Sequence, residues 1–423
     1  MLTLGDLRLE LEKTTLSNNT RIIHFQRKGS PLAVRLNFVA GSRFDSIPGT
    51  AHFLEHILVT GTKKYPSKDK LATAIENYGG NFKALTGTEL MSLSFAVGNP
   101  KDVKIIAELL EEMIFNPLFN DKIIEAERKA IIRELGDKYS NPIKKNTEMF
   151  RELFFDGTSL QESTLGDLET INKISKNDLI NFYQKYILSG QVVLVTSGDI
   201  SINELVNNFS PILQKINSKQ YLPTNPLIFS SNKNLKTERL LDGNQVFFTY
   251  GFRTTPADNS DQPALSILQQ LLGGGRSSFA MRKLRYEKGL ISGLNSWNEA
   301  MSDSGSWAIQ TSTQKDNFDE TFSIVQELLK EVSQNLITED DLRIVKNKII
   351  NSGLLALQTS ESIVNFHSFR QFIYPNSPWT VQDYTREIEN VTLEDLRRTS
   401  SRYFQNGILA VLGDIDANNI DLK

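Results

Sequence analysis

Two kinds of apolar pattern run through the first half of the chain, one alternating with polar residues and one recurring every three or four positions. The alternating stretches RIIHFQ (21–26) and LAVRLNFVAG (32–41) predict strands, and NFKALTG (81–87) with LMSLSFAVG (90–98) predicts a hairpin. The helical period predicts helices, and a last apolar run predicts a strand at 191–197. The predicted helices are 50–60, 67–78, 102–115, 121–138 and 176–187.

The second half follows the same order of patterns. QVFFTYGF (245–252), ISGLNSW (291–297) and SWAIQTST (306–313) predict strands, and long helices are predicted between residues 316 and 374. Strands joined by short loops favour antiparallel pairing, with helices as a covering layer. We therefore expect an α+β fold of two homologous domains, each a mixed, mostly antiparallel sheet with helices packed on one face.

One helix-strand unit occurs twice along the chain. ISKNDLINFYQKYILSGQVVLVTSGDIS begins at residue 174, and VTLEDLRRTSSRYFQNGILAVLGDID begins at residue 391. Matching residues are separated by 217, 217 and 215 positions: Asp178 and Asp395, Tyr186 and Tyr403, Asp199 and Asp414. Duplication explains this more economically than convergence of two similar units. The Pro-, Asn- and Ser-rich stretch 217–234 has the composition of a linker, so we expect domains at 1–216 and 235–423.

Composition narrows the chemistry that the chain can support. The 423 residues are 39% hydrophobic and 23% charged, and the formal net charge of -3 gives no reason to expect nucleic acid as a partner. Because there is no cysteine, a metal would have to be held by histidine and carboxylates. No signal peptide pattern is present and no apolar run approaches the roughly 18 residues of a membrane span, so we expect a cytoplasmic protein.

Two of the four histidines lie in one predicted helical turn, in the stretch TAHFLEHILVT. His52 and His56 are four residues apart and share a helix face, which suits a zinc ion with three protein ligands. Glu55 lies beside them, where it could act as the base for a water molecule. Histidines at this spacing are often ordinary surface or core residues, but the order His-x-x-Glu-His is the inverzincin signature. The motif therefore predicts a metal site.

The predicted helix 121–138 offers two carboxylates as a third ligand. Glu127 and Glu134 are seven residues apart and lie close to one helix face. The alternative is a solvated face with ion pairs to Arg128, Lys129 and Arg133. Spacing alone leaves both the site and the choice of carboxylate open.

The stretch GSRFDSIPGTAHFLEHILVTGTKKYPS (41–67) resembles the opening of the pitrilysin and insulinase family of zinc peptidases. The similarity is to its short branch, which includes the mitochondrial processing peptidase β-subunit and bacterial processing-peptidase-like proteins. Glu134 follows His56 by 78 residues, which resembles the family spacing. The resemblance implies one Zn²⁺ per chain on His52, His56 and Glu134, with Glu55 and Glu127 as catalytic residues, Glu127 by orienting a ligand.

The same resemblance implies an activity and an assembly. It implies a zinc-dependent endopeptidase that hydrolyses peptides or unfolded segments inside a clam-like chamber formed by two chains. Residues 1–216 would be the zinc-binding catalytic domain, and 235–423, which lacks ligands, would be a wall of the chamber.

Two departures from the family pattern concern substrate binding. Relatives have an Asn-Ala pair on the strand that pairs with bound peptide, where this chain has Lys83 and Ala84; main-chain pairing does not depend on those side chains. Relatives also have an Arg and, seven residues on, a Tyr, where this chain has Arg285 but Ser292. Serine cannot replace a phenol in stabilising an oxyanion. We therefore expect a heterodimer with a related subunit that bears both Arg and Tyr, with a homodimer as the alternative.

Two other functions are compatible with parts of the sequence. A non-catalytic partner subunit could have this fold, although four intact residues argue against it: His52, Glu55, His56 and Glu134. A metal-dependent hydrolase of non-peptide substrates could use the same ligands. Zinc content distinguishes the first from a peptidase, and a comparison of peptide with ester substrates distinguishes the second.

Overall fold

The computed structural model describes residues 9–219, 227–229, 233–240, 243–334, 336–374 and 380–422. Residues 220–226 and 230–232 of the predicted linker therefore lie outside the described part. The chain forms two compact units. Unit 1 consists of the described residues of Met1–Gly136, Glu162–Leu222 and Leu354–Thr380, and unit 2 of those of Asp137–Gln161, Pro223–Gly353 and Val381–Lys423.

The regular elements are numbered here in chain order. Up to residue 219 they are β1 (Glu10–Thr15), β2 (Arg21–Gln26), β3 (Leu32–Phe38), α1 (Thr50–Thr60), α2 (Lys68–Glu76), β4 (Asn81–Thr86), β5 (Met91–Val97), α3 (Val103–Phe115), α4 (Asp121–Tyr139), α5 (Pro142–Phe154), α6 (Leu168–Lys173), α7 (Lys176–Phe182), β6 (Val192–Gly198) and α8 (Ile202–Leu213).

The remaining elements follow from residue 233 onward. They are β7 (Leu235–Glu238), β8 (Gln245–Thr254), α9 (Gln262–Leu272), β9 (Ile291–Ala300), β10 (Gly305–Gln314), α10 (Phe318–Glu331), α11 (Glu339–Ala356), α12 (Ser360–Ser368), α13 (Arg370–Ile373), α14 (Val381–Asn390), α15 (Leu393–Tyr403) and β11 (Ile408–Leu412).

Unit 1 contains a six-stranded sheet in the order β1-β2-β6-β3-β5-β4. The pair β2/β6 is parallel, whereas the other neighbours are antiparallel. Strand β4 is an outer strand of this sheet and pairs with β5 along its whole length, from Asn81 opposite Ala96 to Thr86 opposite Met91.

Unit 2 contains a five-stranded sheet in the order β7-β11-β8-β10-β9. Again one pair, β7/β11, is parallel and the others are antiparallel. Setting β1 aside, the two sheets have the same order and the same directions. The expected α+β fold of two homologous domains with mixed, mostly antiparallel sheets is therefore confirmed.

The duplicated helix-strand unit is visible in how the two helices begin. Helix α7 starts with a capping box in which Ser175 and Asp178 bond reciprocally, and α15 starts with the same device formed by Thr392 and Asp395. Each helix is followed by a strand beside the middle of its sheet, β6 and β11. Asp178 and Asp395 thus have one structural role, the capping of a helix.

Each sheet is covered on both faces, because each unit includes a segment from the other half of the sequence. In unit 1, Ile22 of β2 faces the core built with α1 and α3. Phe25, three residues further along the same strand, points to the opposite face and contacts His367 of α12, with ring centroids 3.9 Å apart. Helix α12 therefore lies on the second face of the sheet. One face of the sheet is covered by the predicted helices, such as α1 and α3, and the other face by α12, which comes from the second half of the sequence.

Unit 2 repeats this arrangement with α5. Val246 and Phe248 of β8 pack with α9 and α10, whereas Phe247 packs with Phe150 of α5. Asn146 of α5 is fully buried, donates to the main-chain oxygen of Ala410 at 3.0 Å and accepts from the Thr249 hydroxyl at 2.7 Å. Its hydrogen bonds satisfy the buried amide and fix α5 on the sheet.

Among the described residues, no helix has the length and apolar character required to cross a bilayer.

Candidate metal centre

Helix α1 begins with an unusual cap. Its N-cap residue is Gly49, which has a left-handed backbone (φ 93°) and offers no side chain. Asp45 replaces the missing cap, because its two carboxylate oxygens accept hydrogen bonds from the main-chain N–H groups of Gly49 and Ala51, both at 2.9 Å. A Cβ at position 49 would also lie 2.8 Å from the main-chain oxygen of Leu165, so this position requires glycine.

The helix period separates a buried side of α1 from a polar side. Leu54, Ile57 and Leu58 are fully buried in the core of unit 1. His52 and His56 are only partly buried, with 13% and 14% of their side chains exposed, and their ring centroids are 4.7 Å apart. The two imidazoles therefore lie one turn apart on the same side, as predicted from their spacing.

Helix α4 brings a carboxylate to both imidazoles. Glu134 Oε2 lies 3.6 Å from His52 Nε2, and Glu134 Oε1 lies 3.8 Å from His56 Nε2. One ligand atom from each of the three side chains can be chosen so that all lie within 4.8 Å of one another. The geometry thus distinguishes Glu134 from Glu127, a choice that the sequence pattern left open.

Glu127 contacts the other nitrogen of His56. Its Oε2 accepts a hydrogen bond from His56 Nδ1 at 2.8 Å, and both side chains are 14% exposed. The hydrogen bond from His56 lowers the pKa of Glu127. With this hydrogen bond holding a proton on Nδ1, the neutral ring has its lone pair on Nε2, the nitrogen near Glu134, which is the tautomer that a metal ligand needs.

The charge around His56 has a clear effect on its protonation. Burial alone would lower the pKa of His56, but the pKa is raised because Glu127 accepts its hydrogen bond and Glu134 and Glu55 add negative charge. Two imidazoles among three carboxylates form a site that favours a cation.

Glu55 lies between the two histidines on α1 and is bound to the end of β4. The hydroxyl of Thr86 donates to Glu55 Oε2 at 2.6 Å. Burial raises the pKa of Glu55, while the Thr86 hydroxyl and the charge of His56 oppose that rise. Glu55 is thus a partly buried carboxylate with raised proton affinity beside the His52/His56/Glu134 cluster.

The donor set fits zinc. Zinc bonds to imidazole nitrogen and carboxylate oxygen are about 2.0–2.2 Å, so neighbouring ligand atoms of a tetrahedral site are about 3.3–3.6 Å apart. The separations of 3.6 and 3.8 Å between Glu134 and the two imidazoles are close to this range. Two imidazoles and one carboxylate also form one of the ligand sets of catalytic zinc.

Arg128 packs α4 against neighbouring helices, in addition to forming an ion pair on the exposed side of α4. Its guanidinium donates to the main-chain oxygens of Ile171 and Ile174, the latter at 2.9 Å, and lies 5.2 Å from the centre of the Phe53 ring. It also pairs with the exposed Glu125 at 3.1 Å. The face with Arg128 thus fixes α4 against α1 and the end of α6, with Glu127 and Glu134 facing the histidines.

The other predicted residues are placed as follows. Lys83 and Ala84 lie on the outer strand β4 of unit 1, with Ala84 packed toward the helix side and Lys83 exposed on the other side. Arg285 is exposed in a π-helical turn of unit 2 (Met281–Glu287), where its guanidinium is 5.9 Å from the Tyr286 ring centre. Ser292 is exposed on β9.

Several residues of the centre were not found from the sequence. Thr86, Thr60, Arg43, Glu89 and Asp45 are among them. The Thr60 hydroxyl donates to the His56 main-chain oxygen at 2.6 Å, and Arg43 and Glu89 form a buried ion pair. Only Asp45 had a local signal, an acidic residue just before a Pro-Gly helix start; the others depend on contacts between distant segments.

Sequence comparisons agree with a duplicated α+β chain that bears a His-x-x-Glu-His metallopeptidase motif. The family model described as Insulinase (Peptidase family M16) matches residues 25–168, and the model described as Peptidase M16 inactive domain matches residues 173–349. The chain belongs to the insulinase family of metallopeptidases, peptidase family M16.

Similar curated proteins are named as zinc proteases or processing peptidases. An uncharacterized zinc protease of Rickettsia felis is 24% identical over 390 residues, which cover 89% of this chain and 90% of the relative. The mitochondrial-processing peptidase subunit beta of Mus musculus is 25% identical over 425 residues, covering 96% of this chain and 85% of the relative.

Solved structures show the same fold. The peptidase M16 inactive domain from Pseudomonas fluorescens has a TM-score of 0.88 at 19% identity and covers 97% of this chain and 99% of its own. A protease from Helicobacter pylori has a TM-score of 0.86 at 18% identity, covering 96% of this chain and 99% of its own.

Proposed function

We propose that this chain is a zinc metalloendopeptidase that hydrolyses peptides or unfolded segments. The observation that carries the proposal is the convergence of His52, His56 and Glu134, from two helices, within 4.8 Å. Glu55 lies beside this group on α1. The names of relatives such as the zinc protease of Rickettsia felis support the same class of activity.

In this proposal His52, His56 and Glu134 hold one Zn²⁺ per chain. When bound, the ion supplies Lewis-acid chemistry, which lowers the pKa of water and polarises a peptide carbonyl. Glu127 holds the His56 ring in the tautomer and orientation of a ligand through the 2.8 Å hydrogen bond to Nδ1.

Glu55 is the general base of the proposed reaction. Its carboxylate accepts the proton of the water that attacks the scissile carbonyl carbon. After the C–N bond breaks, it returns that proton to the leaving amine, so the carboxylate is regenerated. The raised pKa of Glu55 favours this exchange near neutral pH, because a base with higher proton affinity accepts the proton more readily.

The outer strand β4 is the proposed binding edge for the peptide backbone. One edge of β4 pairs with β5, and β4 is the last strand in the order of the described sheet, so its second edge faces outward. An extended peptide can add to such an edge by main-chain hydrogen bonds from alternate residues of the stretch that contains Lys83 and Ala84. Lys83, in place of the asparagine of relatives, changes the side chain on the edge without changing these main-chain groups.

The roles of the two sequence halves and of a partner are also proposals. Residues 1–216 would be the catalytic domain, and 235–423 would form a chamber wall that carries Arg285. The match of 173–349 to a model described as an inactive domain supports a second half without ligands. Because Ser292 lacks the phenol of relatives, we infer a heterodimer with an Arg- and Tyr-bearing subunit; the mouse relative is itself named a subunit.

The test compares the zinc-loaded chain with its Glu55→Gln variant on a library of unfolded peptides, with cleavage followed by mass spectrometry. Loss of the base should reduce cleavage by about 10²- to 10⁴-fold while zinc content is unchanged. Glu76→Gln, at an exposed position on α2, is the matched control. Parental rates for Glu55→Gln would contradict the proposal, and full turnover by the isolated chain would contradict the dependence on a partner.

A further inference from the structure

The end of strand β4 touches the proposed base directly. Thr86 is the last residue of β4 and is buried, with 9% of its surface exposed. Its hydroxyl donates a short hydrogen bond, 2.6 Å, to Glu55 Oε2. A hydroxyl that donates to a carboxylate makes a charge-assisted bond, which is stronger than one between neutral groups.

The turn after Thr86 is held firmly, so its hydroxyl has a fixed position. The main-chain N–H groups of Gly41, Ser42 and Arg43 donate to the oxygens of Glu89, Gly87 and Thr88, at 3.0, 3.1 and 3.0 Å.

A buried ion pair also joins the segment 41–43 to the hairpin turn 87–89. Arg43 and Glu89 pair with each side chain only 4% exposed, and a Cβ at Gly41 would lie 2.4 Å from the Thr88 carbonyl carbon. The close backbone approach therefore requires glycine at 41. The segment 41–43 and the hairpin turn 87–89 form one rigid support for Thr86.

The strand that carries Thr86 is also the open strand of the sheet. Side chains alternate along β4, so Phe82 and Ala84 face the helix side together with Thr86, whereas Lys83 and Leu85 face away. The main-chain edge proposed to receive a peptide and the hydroxyl that holds Glu55 thus belong to six consecutive residues.

We propose that Thr86 is a positioning residue for Glu55. Resting on the proposed function, this inference assigns Thr86 the task of fixing one carboxylate oxygen, so that the other faces the water and the scissile bond. The orientation of the base is then set by the strand that binds the substrate. In this proposal Thr86 acts through Glu55 and touches none of the reacting atoms.

The test uses three variants of the full chain. Thr86→Val keeps the shape and the β-branch but removes the hydroxyl, and Thr86→Ser keeps the hydroxyl. Thr88→Val, in the same hairpin turn, is the matched control, because among the described residues Thr88 supports the turn through its main-chain oxygen, which the substitution keeps. Zinc content and melting temperature are measured for each variant.

We expect Thr86→Val to lower kcat by about 10- to 100-fold with little change in KM, as when a group that orients a reacting side chain is lost. Thr86→Ser should recover most of kcat, and Thr88→Val should equal the parent. Equal kcat for Thr86→Val and the parent would overturn the inference. Equal losses in the valine and serine variants, or loss of zinc from Thr86→Val, would also overturn it.

A structural readout separates this inference from the proposed function. In crystals of the metal-free protein, Glu55 should keep one rotamer in the parent and in Thr86→Ser, and should occupy several in Thr86→Val. An unchanged Glu55 rotamer in Thr86→Val would overturn the positioning role, whether or not the parent cleaves peptides. Absence of cleavage by the parent together with an Arg- and Tyr-bearing subunit would contradict the proposed function alone.

Discussion

At the scale of single residues, each acidic side chain of the candidate centre has a distinct partner. Glu134 approaches both Nε2 atoms of the histidines, Glu127 bonds to Nδ1 of His56, and Glu55 is bound by Thr86. Three carboxylates of similar intrinsic pKa are thereby given different tasks by their neighbours. The spacing His-x-x-Glu-His predicts from local geometry alone that His52 and His56 share a helix face as candidate ligands. The hydrogen-bond partners of Glu127 and Glu55 depend instead on contacts 71 and 31 residues apart.

Removal of the Glu127 carboxylate should weaken zinc binding without abolishing it. In Glu127→Gln the amide can no longer act as a charged acceptor for His56 Nδ1, so the ring loses part of its orientation and basicity. We expect zinc affinity to fall about 10- to 100-fold, measured by competition with a chromogenic chelator. Glu125→Gln on the exposed side of α4 should bind zinc like the parent. Unchanged affinity in Glu127→Gln would show that Glu127 does not support His56.

At the scale of elements, the position of α1 depends on a cap outside the helix. The N-cap residue Gly49 has no side chain, and the carboxylate of Asp45 accepts from the main-chain N–H groups of Gly49 and Ala51 in its place. Asp45 lies in the loop that follows Arg43, which is paired with Glu89. The loop 41–45 therefore connects the β4–β5 hairpin to the start of the helix that carries both histidines.

Loss of this cap should destabilise the protein and loosen the first turn of α1. Asp45→Ala leaves the N–H groups of Gly49 and Ala51 without their acceptor, and the free energy of unfolding should fall by about 1–2 kcal/mol. Asp45→Asn keeps one acceptor oxygen and should lose less. Urea unfolding of the metal-free proteins measures both effects. Equal stability of Asp45→Ala and the parent would contradict a capping role.

Elements with a strong local pattern were predictable from the sequence. Strand β2 and helix α1 have the predicted bounds, 21–26 and 50–60, because alternation and the 3.6-residue period are properties of the segments themselves. Strand β1 and helix α5 were not predicted. Helix α5 is defined by its packing on β8 and β11, about 100 and 260 residues further on, through Asn146 and Phe150.

Packing between segments distant in sequence also explains why the compact units differ from the two halves of the sequence. The repeat gives domains at 1–216 and 235–423, whereas α5 and α12 each pack on the sheet of the other half. No local signal identifies such an exchange, because the apolar face of a helix does not specify which sheet it covers.

At the scale of the whole molecule, the two halves share a sheet order, and the four histidines all lie in unit 1. The two histidines outside the candidate centre, His24 and His367, are both fully buried in unit 1. Nδ1 of His24 lies 2.8 Å from the Thr196 hydroxyl and Nδ1 of His367 lies 2.8 Å from the Ile363 oxygen. The Nε2 atom of each is buried without a hydrogen-bond partner among the described residues. Both histidines are therefore residues of the packed interior of unit 1.

Their burial predicts a loss of stability in acid. Burial lowers the pKa of His24 and of His367 to about 4. The unfolded chain takes up both protons as pH falls below about 6.5, whereas the folded chain does so only near pH 4, so stability is lost across this window. Each histidine contributes up to roughly 3 kcal/mol to the loss.

Urea unfolding of the metal-free protein between pH 7.5 and 4.5 measures this effect. His24→Gln and His367→Gln should each show a shallower decline than the parent, because glutamine takes up no proton in either state. If stability declined as steeply in both variants as in the parent, the assignment of the acid sensitivity to these two side chains would be contradicted.

The central claim is that His52, His56 and Glu134 together bind one zinc ion. Its most direct test is calorimetric titration of the metal-stripped chain with zinc, with elemental analysis of the product, alongside His56→Ala, Glu134→Gln and the control His367→Gln. We predict one zinc per chain for the parent and for His367→Gln, with at least a hundredfold weaker binding in the other two variants. No stoichiometric zinc in the parent, or equal binding by all four proteins, would contradict the claim.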